Sequence, residues 1–326
     1  MILRKDSKIF LAGHKGMVGS AILRFLKKKN YSNIVLVDKK KLDLLNQKKT
    51  LQFLKRIKPD FVINAAALVG GILANNKFKA NYIYENLMIQ TNIIHASFLT
   101  GVKKLLFLGS SCIYPKNTNN PIKEKQLLTG LLEPTNEPYA IAKIAGIKVC
   151  ESYNRQYGDK HGIDYRSIMP TNLYGPGDNY HSINSHVIPG LLKRFHEAKI
   201  SSDPEVLIWG SGRPKREFLH VDDFVKAAIF LMNLSKKKFY KYGHPMCSHI
   251  NIGSGKELSI FKLASIIKNI VGYRGKIVFD KTKPDGVEKK LLSSKIINKL
   301  GWRPKIILAK GLTSVYDLYK KKYDLF

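Results

Sequence analysis

The sequence predicts an α/β protein in which a parallel sheet is covered by helices on both faces and a smaller, irregular lobe is attached. Three observations lead there. Short apolar runs alternate with helical patterns through the first half of the chain. Those runs are nearly continuous in apolar residues, as strands buried on both faces require. A glycine-rich turn joins the first run to the first helical pattern.

In chain order, Lys8–Ala12 reads as a strand, Met17–Lys29 as a helix and Ile34–Val37 as a strand ending at Asp38. Gln47–Ile57 reads as a helix, and Phe61–Ala65 as a strand set off by Pro59-Asp60. Asn76–Leu99 reads as one long helix. Lys104–Leu108 reads as a strand that stops at Gly109-Ser110-Ser111, Tyr139–Tyr157 as a helix, and Tyr165–Met169 as a strand that stops at Pro170. The alternation implies right-handed βαβ units. Beyond residue 175 the pattern loosens. Helices are expected at His186–Lys199, Val221–Leu234, Leu258–Val271 and Ala309–Lys322, with short strands at Glu205–Trp209, His249–Ile252 and Lys276–Phe279.

Composition narrows the class. At 326 residues and 44% hydrophobic content, the chain is neither disordered nor a small stapled scaffold. Three cysteines, Cys112, Cys150 and Cys247, make no disulfide framework and suit a reducing compartment. The N-terminus turns charged before a signal-peptide core can form. The longest apolar run, Phe61–Ala74, contains Asn64 and falls short of the ~18 residues a membrane span needs. A soluble, cytoplasmic protein with no membrane partner is expected. The net charge of +32 comes from 46 lysines and 10 arginines spread over the whole length. No tract interleaves them with aromatics, so they read as a solvated surface and not as a nucleic-acid site. An anionic substrate is compatible with that surface.

Gly13-His14-Lys15-Gly16-Met17-Val18-Gly19 follows the first strand and opens the first helix. Gly13 permits a tight turn, Gly16 lets backbone approach a pyrophosphate at the helix N-terminus, and Gly19 lets helix and strand pack closely. This predicts a Rossmann-type, doubly wound sheet holding a dinucleotide. Residues 1–174, with 216–254 returning to them, are then the dinucleotide-binding domain; 175–215 and 255–326 are the substrate lobe. Asp38 would grip an adenine ribose and favour NAD, whereas Lys15, Lys39 and Lys40 would attract the 2′-phosphate of NADP. The three cations favour NADP, and Asp38 keeps NAD open.

Tyr139 and Lys143 form a Tyr-x-x-x-Lys pair on one helix face. A nearby ammonium is expected to lower the phenol pKa and make it a usable proton donor to a carbonyl. Ser110, at the preceding strand end, can hydrogen-bond the same substrate oxygen. Cys112 is two residues further on, where a thiol could act as a base. Cys150 and Cys247 read as core fillers, and no Cys/His spacing suits a metal.

The blocks Gly13–Ser20, Val69-Gly70-Gly71-Ile72, Leu106–Pro115, Glu133–Lys143, Met169–Pro176, Asn184–Pro189, Arg216–Asp223 and Lys283–Gly286 closely resemble the GDP-L-fucose synthase family of extended short-chain dehydrogenase/reductases. The resemblance covers essentially the whole chain. It implies C3 and C5 epimerisation of GDP-4-keto-6-deoxy-D-mannose, with Cys112 as base and His186 as acid, then NADPH-dependent reduction at C4. Tyr139 would give the proton, Lys143 would tune it and hold the ribose, and Ser110 would hold O4. The resemblance also places Leu108, Gly109, Ser111, Pro170, Thr171, Asn172, Leu173 and His186 around the cofactor. It assigns Asn172, Arg194, Trp209, Arg216, Asp285 and Lys290 to the GDP-sugar, and implies a homodimer closed by a four-helix bundle. Two other readings stay open: an enzyme on a related GDP-4-keto sugar (a 3,6-dideoxy hexose or a 6-deoxy heptose), and a non-catalytic basic nucleotide- or RNA-binding protein.

Overall fold

The computed structural model describes residues 2–181, 185–283 and 285–323. The first half runs β1 (Ile9–Ala12), α1 (Met17–Lys28), β2 (Ile34–Val35), α2 (Gln47–Ile57), β3 (Phe61–Asn64), α3 (Ile72–Lys77), α4 (Lys79–Leu99), β4 (Lys104–Leu108), α5 (Glu137–Tyr157) and β5 (Asp164–Pro170). The second half runs β6 (Asn172–Tyr174), α6 (Val187–Ile200), β7 (Glu205–Trp209), β8 (Lys215–His220), α7 (Val221–Asn233), α8 (Lys236–Phe239) and β9 (Ile250–Ile252). It continues through β10 (Glu257–Ser259), α9 (Ile260–Val271), β11 (Lys276–Asp280), β12 (Lys289–Lys290), α10 (Lys295–Leu300) and α11 (Leu308–Tyr323).

The large sheet has the order β2-β1-β3-β4-β5-β9, every pair parallel. β1, β3 and β4 are buried at every residue, which accounts for their unbroken apolar character. Alternate residues feed opposite faces. Ile9 and Leu11 join Ile22, Phe224 and Val225 on one face; Phe10 joins Ile93, Phe107 and Ile147 on the other. The chain order reverses around β1, so the carboxyl ends of β1 and β3 flank a crevice where ligands of such sheets bind.

A separate core of Leu191, Leu192, Phe195, Leu263, Ile267 and Leu312 joins α6, α9 and α11. Two small sheets accompany it: β10-β8-β12 with β6 also on β8, and the pair β11-β7.

Four features differ from the sequence reading. The helix expected over Asn76–Leu99 is broken at Phe78, whose non-helical backbone ends α3 and starts α4. α3 is tied instead to the preceding loop, where Asn75 Nδ2 donates to the carbonyls of Gly70 and Gly71. β2 stops at Val35, so Asp38 opens a turn, its carbonyl accepting from the N–H groups of Lys41 and Leu42. Asn172–Tyr174 and Lys215–His220 are strands, and they pair with each other in the small sheet and not in the large one. Ile297 and Trp302, on the tail expected in the lobe, pack in the large-sheet core.

The base of the large sheet carries a buried ion pair. Arg166 is wholly buried. Its guanidinium holds Asp164 through Nε and Nη2 and donates to the carbonyls of Leu231 and Leu234. β5 is thereby fastened to the end of α7.

Candidate active site

The crevice starts at the glycine turn. Gly13 has φ +80, and a Cβ there would lie 2.6 Å from the backbone of Ala65 and Ala66. A Cβ on Gly19 would lie 2.0 Å from the Gly13 carbonyl oxygen. These two positions admit only glycine if turn, strand and helix are to meet. Gly16 is different: it is exposed, and a Cβ would meet only the Gly13 oxygen, at 3.6 Å. It caps α1 with no side-chain hydrogen bond and no acid in the first turn, leaving the N–H groups around Met17 and Val18 without a carboxylate competitor. That open, positive helix end fits the pyrophosphate of a dinucleotide.

At the adenosine end, Asp38 accepts Lys15 Nζ at 2.9 Å and His14 Nε2 at 3.3 Å. The Lys15 hydrogen bond holds the Asp38 carboxyl below its usual range. Lys39 and Lys40 follow in the exposed turn.

The reductive centre is built where β4 ends against α5. Tyr139 and Lys143 share one face of α5, one turn apart. Lys143 is buried, donates from Nζ to the Leu108 carbonyl at 3.0 Å, and sits 5.7 Å from the centroid of the Tyr139 ring. Burial lowers its ammonium to about 8. The tyrosine departs from the sequence expectation, because its phenol is pushed above the usual value. Burial is the main cause and the Cys112 thiol adds to it, against a Ser110 hydrogen bond that works the other way. Desolvation outweighs the pull of Lys143, whose charge is itself partly quenched by burial and turned towards Leu108. The phenol therefore keeps its proton, the form a proton donor needs.

Beyond Gly109, residues Ser111–Ile113 form a single 3-10 turn capped by Ser110, whose Oγ accepts the Cys112 N–H at 3.3 Å. Cys112 is a free, half-buried thiol. The turn that carries it packs against α5, the helix of Tyr139 and Lys143. His186 caps α6 and is open to solvent.

The opposite wall comes from the small sheets. Arg216 on β8 lies beside Lys290 on β12 in parallel register. Asp285 accepts from Ser211 N and Oγ at 2.8 and 2.6 Å, and those bonds hold its carboxyl below the usual range, helped by Arg213 and Arg216. Arg194, on α6, donates from Nη1 to the Leu207 carbonyl of β7, whose outer end carries the half-exposed Trp209. Thr171 Oγ1 and Asn172 Nδ2 both donate to the Glu217 carbonyl, at 3.2 and 3.0 Å, which ties the Pro170–Leu173 segment to β8. Asn184 and Pro284, within the resembling blocks, lie outside the described residues. Among the described residues, no group of three or more His, Cys, Asp or Glu side chains could hold a metal.

Three contributors escape a sequence reading. Glu217, fully buried, accepts from the N–H groups of Leu292 and Gly255. Asn86 clamps Leu68 through both backbone groups, and Lys283 lies over the Trp209 ring at 5.9 Å. The available signal for Glu217 and Lys283 was their place inside the resembling blocks; Asn86 lies in none of them.

A doubly wound sheet whose glycine turn presents an open helix end, with a Tyr/Lys pair at the neighbouring strand end, defines a nicotinamide-dependent enzyme working at a carbonyl carbon. The comparisons agree. The model of the NAD dependent epimerase/dehydratase family matches residues 9–253. The chain is 54% identical over 319 residues to the GDP-L-fucose synthase of Escherichia coli (strain K12), covering 98% of each chain. Among solved structures, a GDP-6-OMe-4-keto-L-xylo-heptose reductase from C. jejuni aligns with a TM-score of 0.93 at 39% identity, covering 99% of this chain and 100% of that one. A GDP-L-fucose synthetase from Naegleria fowleri bound to NADP aligns with a TM-score of 0.88 at 26% identity, covering 100% and 97%. The chain belongs to the NAD dependent epimerase/dehydratase family and, within it, to the GDP-L-fucose synthases.

Proposed function

We propose that this chain converts GDP-4-keto-6-deoxy-D-mannose to GDP-L-fucose by inverting C3 and C5 and then reducing C4. The observation that carries the reading is the placement of a free, half-buried thiol, Cys112, two residues past Ser110 on a turn packed against the helix of Tyr139 and Lys143. A plain ketoreductase has no use for a base there.

The C4 carbonyl acidifies the hydrogens at C3 and C5. Cys112 removes a proton from one face, giving an enolate. His186 returns a proton to the other face, and exchange of both groups with solvent restores the thiolate and the imidazolium before the second centre inverts, so the sugar gains and loses one proton at each carbon. When bound, the reduced nicotinamide supplies the hydride for C4. Tyr139, kept neutral by burial, protonates O4, and Ser110 holds that oxygen. Lys143 anchors β4 to α5 and takes the ribose. NADP is the preferred cofactor, supported by Lys15 on the Asp38 carboxylate and by the Naegleria enzyme solved with NADP. Lys39, His14 and the Leu108–Ser111 segment complete its cradle, with Pro170, Thr171, Asn172 and Leu173 beside the nicotinamide. Arg216 and Lys290 take the diphosphate, Arg194 and Trp209 the nucleoside side, and Asp285 fixes the small-sheet loop against Arg216.

α4 and α5 pack together and leave Tyr84 and Ile141 exposed on their outer side. A twofold copy covering them gives the four-helix bundle of a homodimer. The three cysteines are free, which suits a reducing cytoplasm, and no described helix is long and apolar enough to cross a membrane.

The test is to mix the protein with NADPH and GDP-4-keto-6-deoxy-D-mannose. Loss of NADPH absorbance is expected, together with solvent-deuterium uptake at C3 and C5 that Cys112→Ser abolishes. NADPH consumption without uptake supports the second reading, a C4 reductase of the kind named for the C. jejuni heptose enzyme. No consumption removes both.

A further inference from the structure

Cys112 sits on a turn too short to fix its own geometry. The 3-10 segment Ser111–Ile113 is three residues long, and the Tyr114 N–H to Ser111 carbonyl contact that closes it is 3.5 Å, at the edge of hydrogen-bond range. At its far end the chain enters a buried polar cluster that the reaction does not otherwise use. Tyr114 is 1% exposed. Its hydroxyl meets His249 Nε2 at 2.9 Å and Asn251 Oδ1, both on the β9 side of the large sheet. The Asn251 amide cannot turn round, because its Nδ2 donates to the Ile122 carbonyl at 3.0 Å. Its backbone N–H donates to Glu124 Oε1 at 3.1 Å. Every member, Asn251, His249, Glu124 and Ile122, is buried.

The pattern assigns the protons. With its Oδ1 fixed as an acceptor, Asn251 takes the single phenolic hydrogen of Tyr114. The His249 contact must then run from the ring Nε2–H to the phenol oxygen. The His249 Nδ1 is consequently the unprotonated nitrogen, in keeping with its lack of a hydrogen-bond partner. The phenol oxygen thus has one donor and one acceptor partner, neither reachable by water.

We propose that Tyr114 is a positioning residue for Cys112: its hydroxyl, held between His249 and Asn251, ties the thiol-bearing turn to β9 and sets where the sulfur points into the cleft. Tyr114 does not touch substrate. It acts by removing freedom from a three-residue turn whose displacement by about 1 Å would slow proton abstraction by as much as ~100-fold. Tyr139 is held separately, on α5, so the two halves of the reaction should respond differently.

This inference rests on Cys112 being the base, and the experiment separates the two claims. Two rates are read for wild type, Cys112→Ser and Tyr114→Phe. One is deuterium exchange at C3 and C5 of GDP-4-keto-6-deoxy-D-mannose in D2O without cofactor. The other is hydride transfer from GDP-L-fucose to NADP, followed as NADPH appearance, which needs Tyr139 but no thiol. Tyr114→Phe is expected to slow exchange roughly 10- to 100-fold. Hydride transfer and the KM for the GDP-sugar should stay within about twofold, and the iodoacetamide alkylation rate of Cys112 should change. If Cys112→Ser leaves exchange intact, the base assignment falls and this proposal falls with it. If Cys112→Ser abolishes exchange and Tyr114→Phe exchanges at the wild-type rate, only the positioning role is overturned. Equal slowing of both rates overturns it too, since that is general loosening. Should Tyr114→Phe not fold, His249→Phe carries the same test. It keeps a ring and the Asn251 bond and removes only the Nε2 donor, and the same split is expected at threefold or more.

Discussion

Tyr82 meets Tyr139 edge to face, with ring centroids 6.1 Å apart and planes at 81°. Tyr82 lies on α4, is 3% exposed, and its hydroxyl reaches over Gly70, where a Cβ would come within 2.3 Å of it. The ring of the proton donor is therefore set by a neighbouring helix as well as by its own.

Replacing Tyr82 by leucine keeps an apolar side chain, though a smaller one, and removes the edge-to-face contact, worth about 0.5–1.5 kcal/mol. Hydride transfer between GDP-L-fucose and NADP is expected to slow about three- to tenfold. Deuterium exchange at C3 and C5 should be unchanged, because Cys112 lies on a different element. Parallel measurement of the two rates checks this.

Lys15 sits on the Asp38 carboxylate, which masks a group that would repel a 2′-phosphate. Lys15→Ala is expected to raise the KM for NADPH about tenfold and to leave that for NADH within about twofold. Steady-state kinetics with both cofactors reads the ratio.

Glu124 is buried, and desolvation raises its carboxyl to about 7 despite hydrogen bonds from backbone N–H groups. Its titratable neighbours are Tyr114 and Cys247. In the folded chain it keeps its proton up to about 7, whereas the unfolded chain releases it near 4.3. Between those values the folded state binds more protons, so this group lowers stability as pH rises, by at most about 1.4 kcal/mol per pH unit. Glu124→Gln keeps the acceptor for Asn251 N–H. Relative to wild type, it should gain stability from about pH 4.3 to about 7 and hold a constant difference above that. Denaturant unfolding at pH 5, 6, 7 and 8 measures it. A difference independent of pH would contradict the buried, raised carboxyl.

Arg166→Met removes the buried guanidinium that grips Asp164, leaving that carboxylate Lys104 at 3.7 Å and the Tyr240 hydroxyl, and it strips the donor from two backbone carbonyls beneath the sheet. Breaking a buried pair of this kind costs about 3–5 kcal/mol. Urea unfolding should show that loss, while the folded fraction keeps the wild-type KM for both substrates, since the pair lies at the opposite end of β5 from Pro170.

Much of this architecture is legible in the sequence because it is local. β4 and its Gly109-Ser110-Ser111 end, the glycine turn, and the Tyr139/Lys143 spacing each need only a short window, and α2 and β7 fall where periodicity puts them. What escaped depends on distant partners. A three-residue strand such as Asn172–Tyr174 has too few positions to show alternation, and it exists because Phe218–His220 pair with it across 46 residues. The break at Phe78 carries no proline or glycine, and follows from Asn75 gripping the Gly70–Gly71 loop. The Tyr139 phenol moves opposite to the expectation because desolvation depends on what packs around it, which spacing on a helix does not reveal. The Tyr114–His249–Asn251 cluster joins segments more than 130 residues apart.

The most direct test of the whole account is the NMR spectrum of the product formed from GDP-4-keto-6-deoxy-D-mannose and NADPH in D2O. The account predicts GDP-L-fucose with deuterium at both C3 and C5. A reduced sugar that keeps the original configuration, with protium at both carbons, would contradict it and leave a simple C4 reductase.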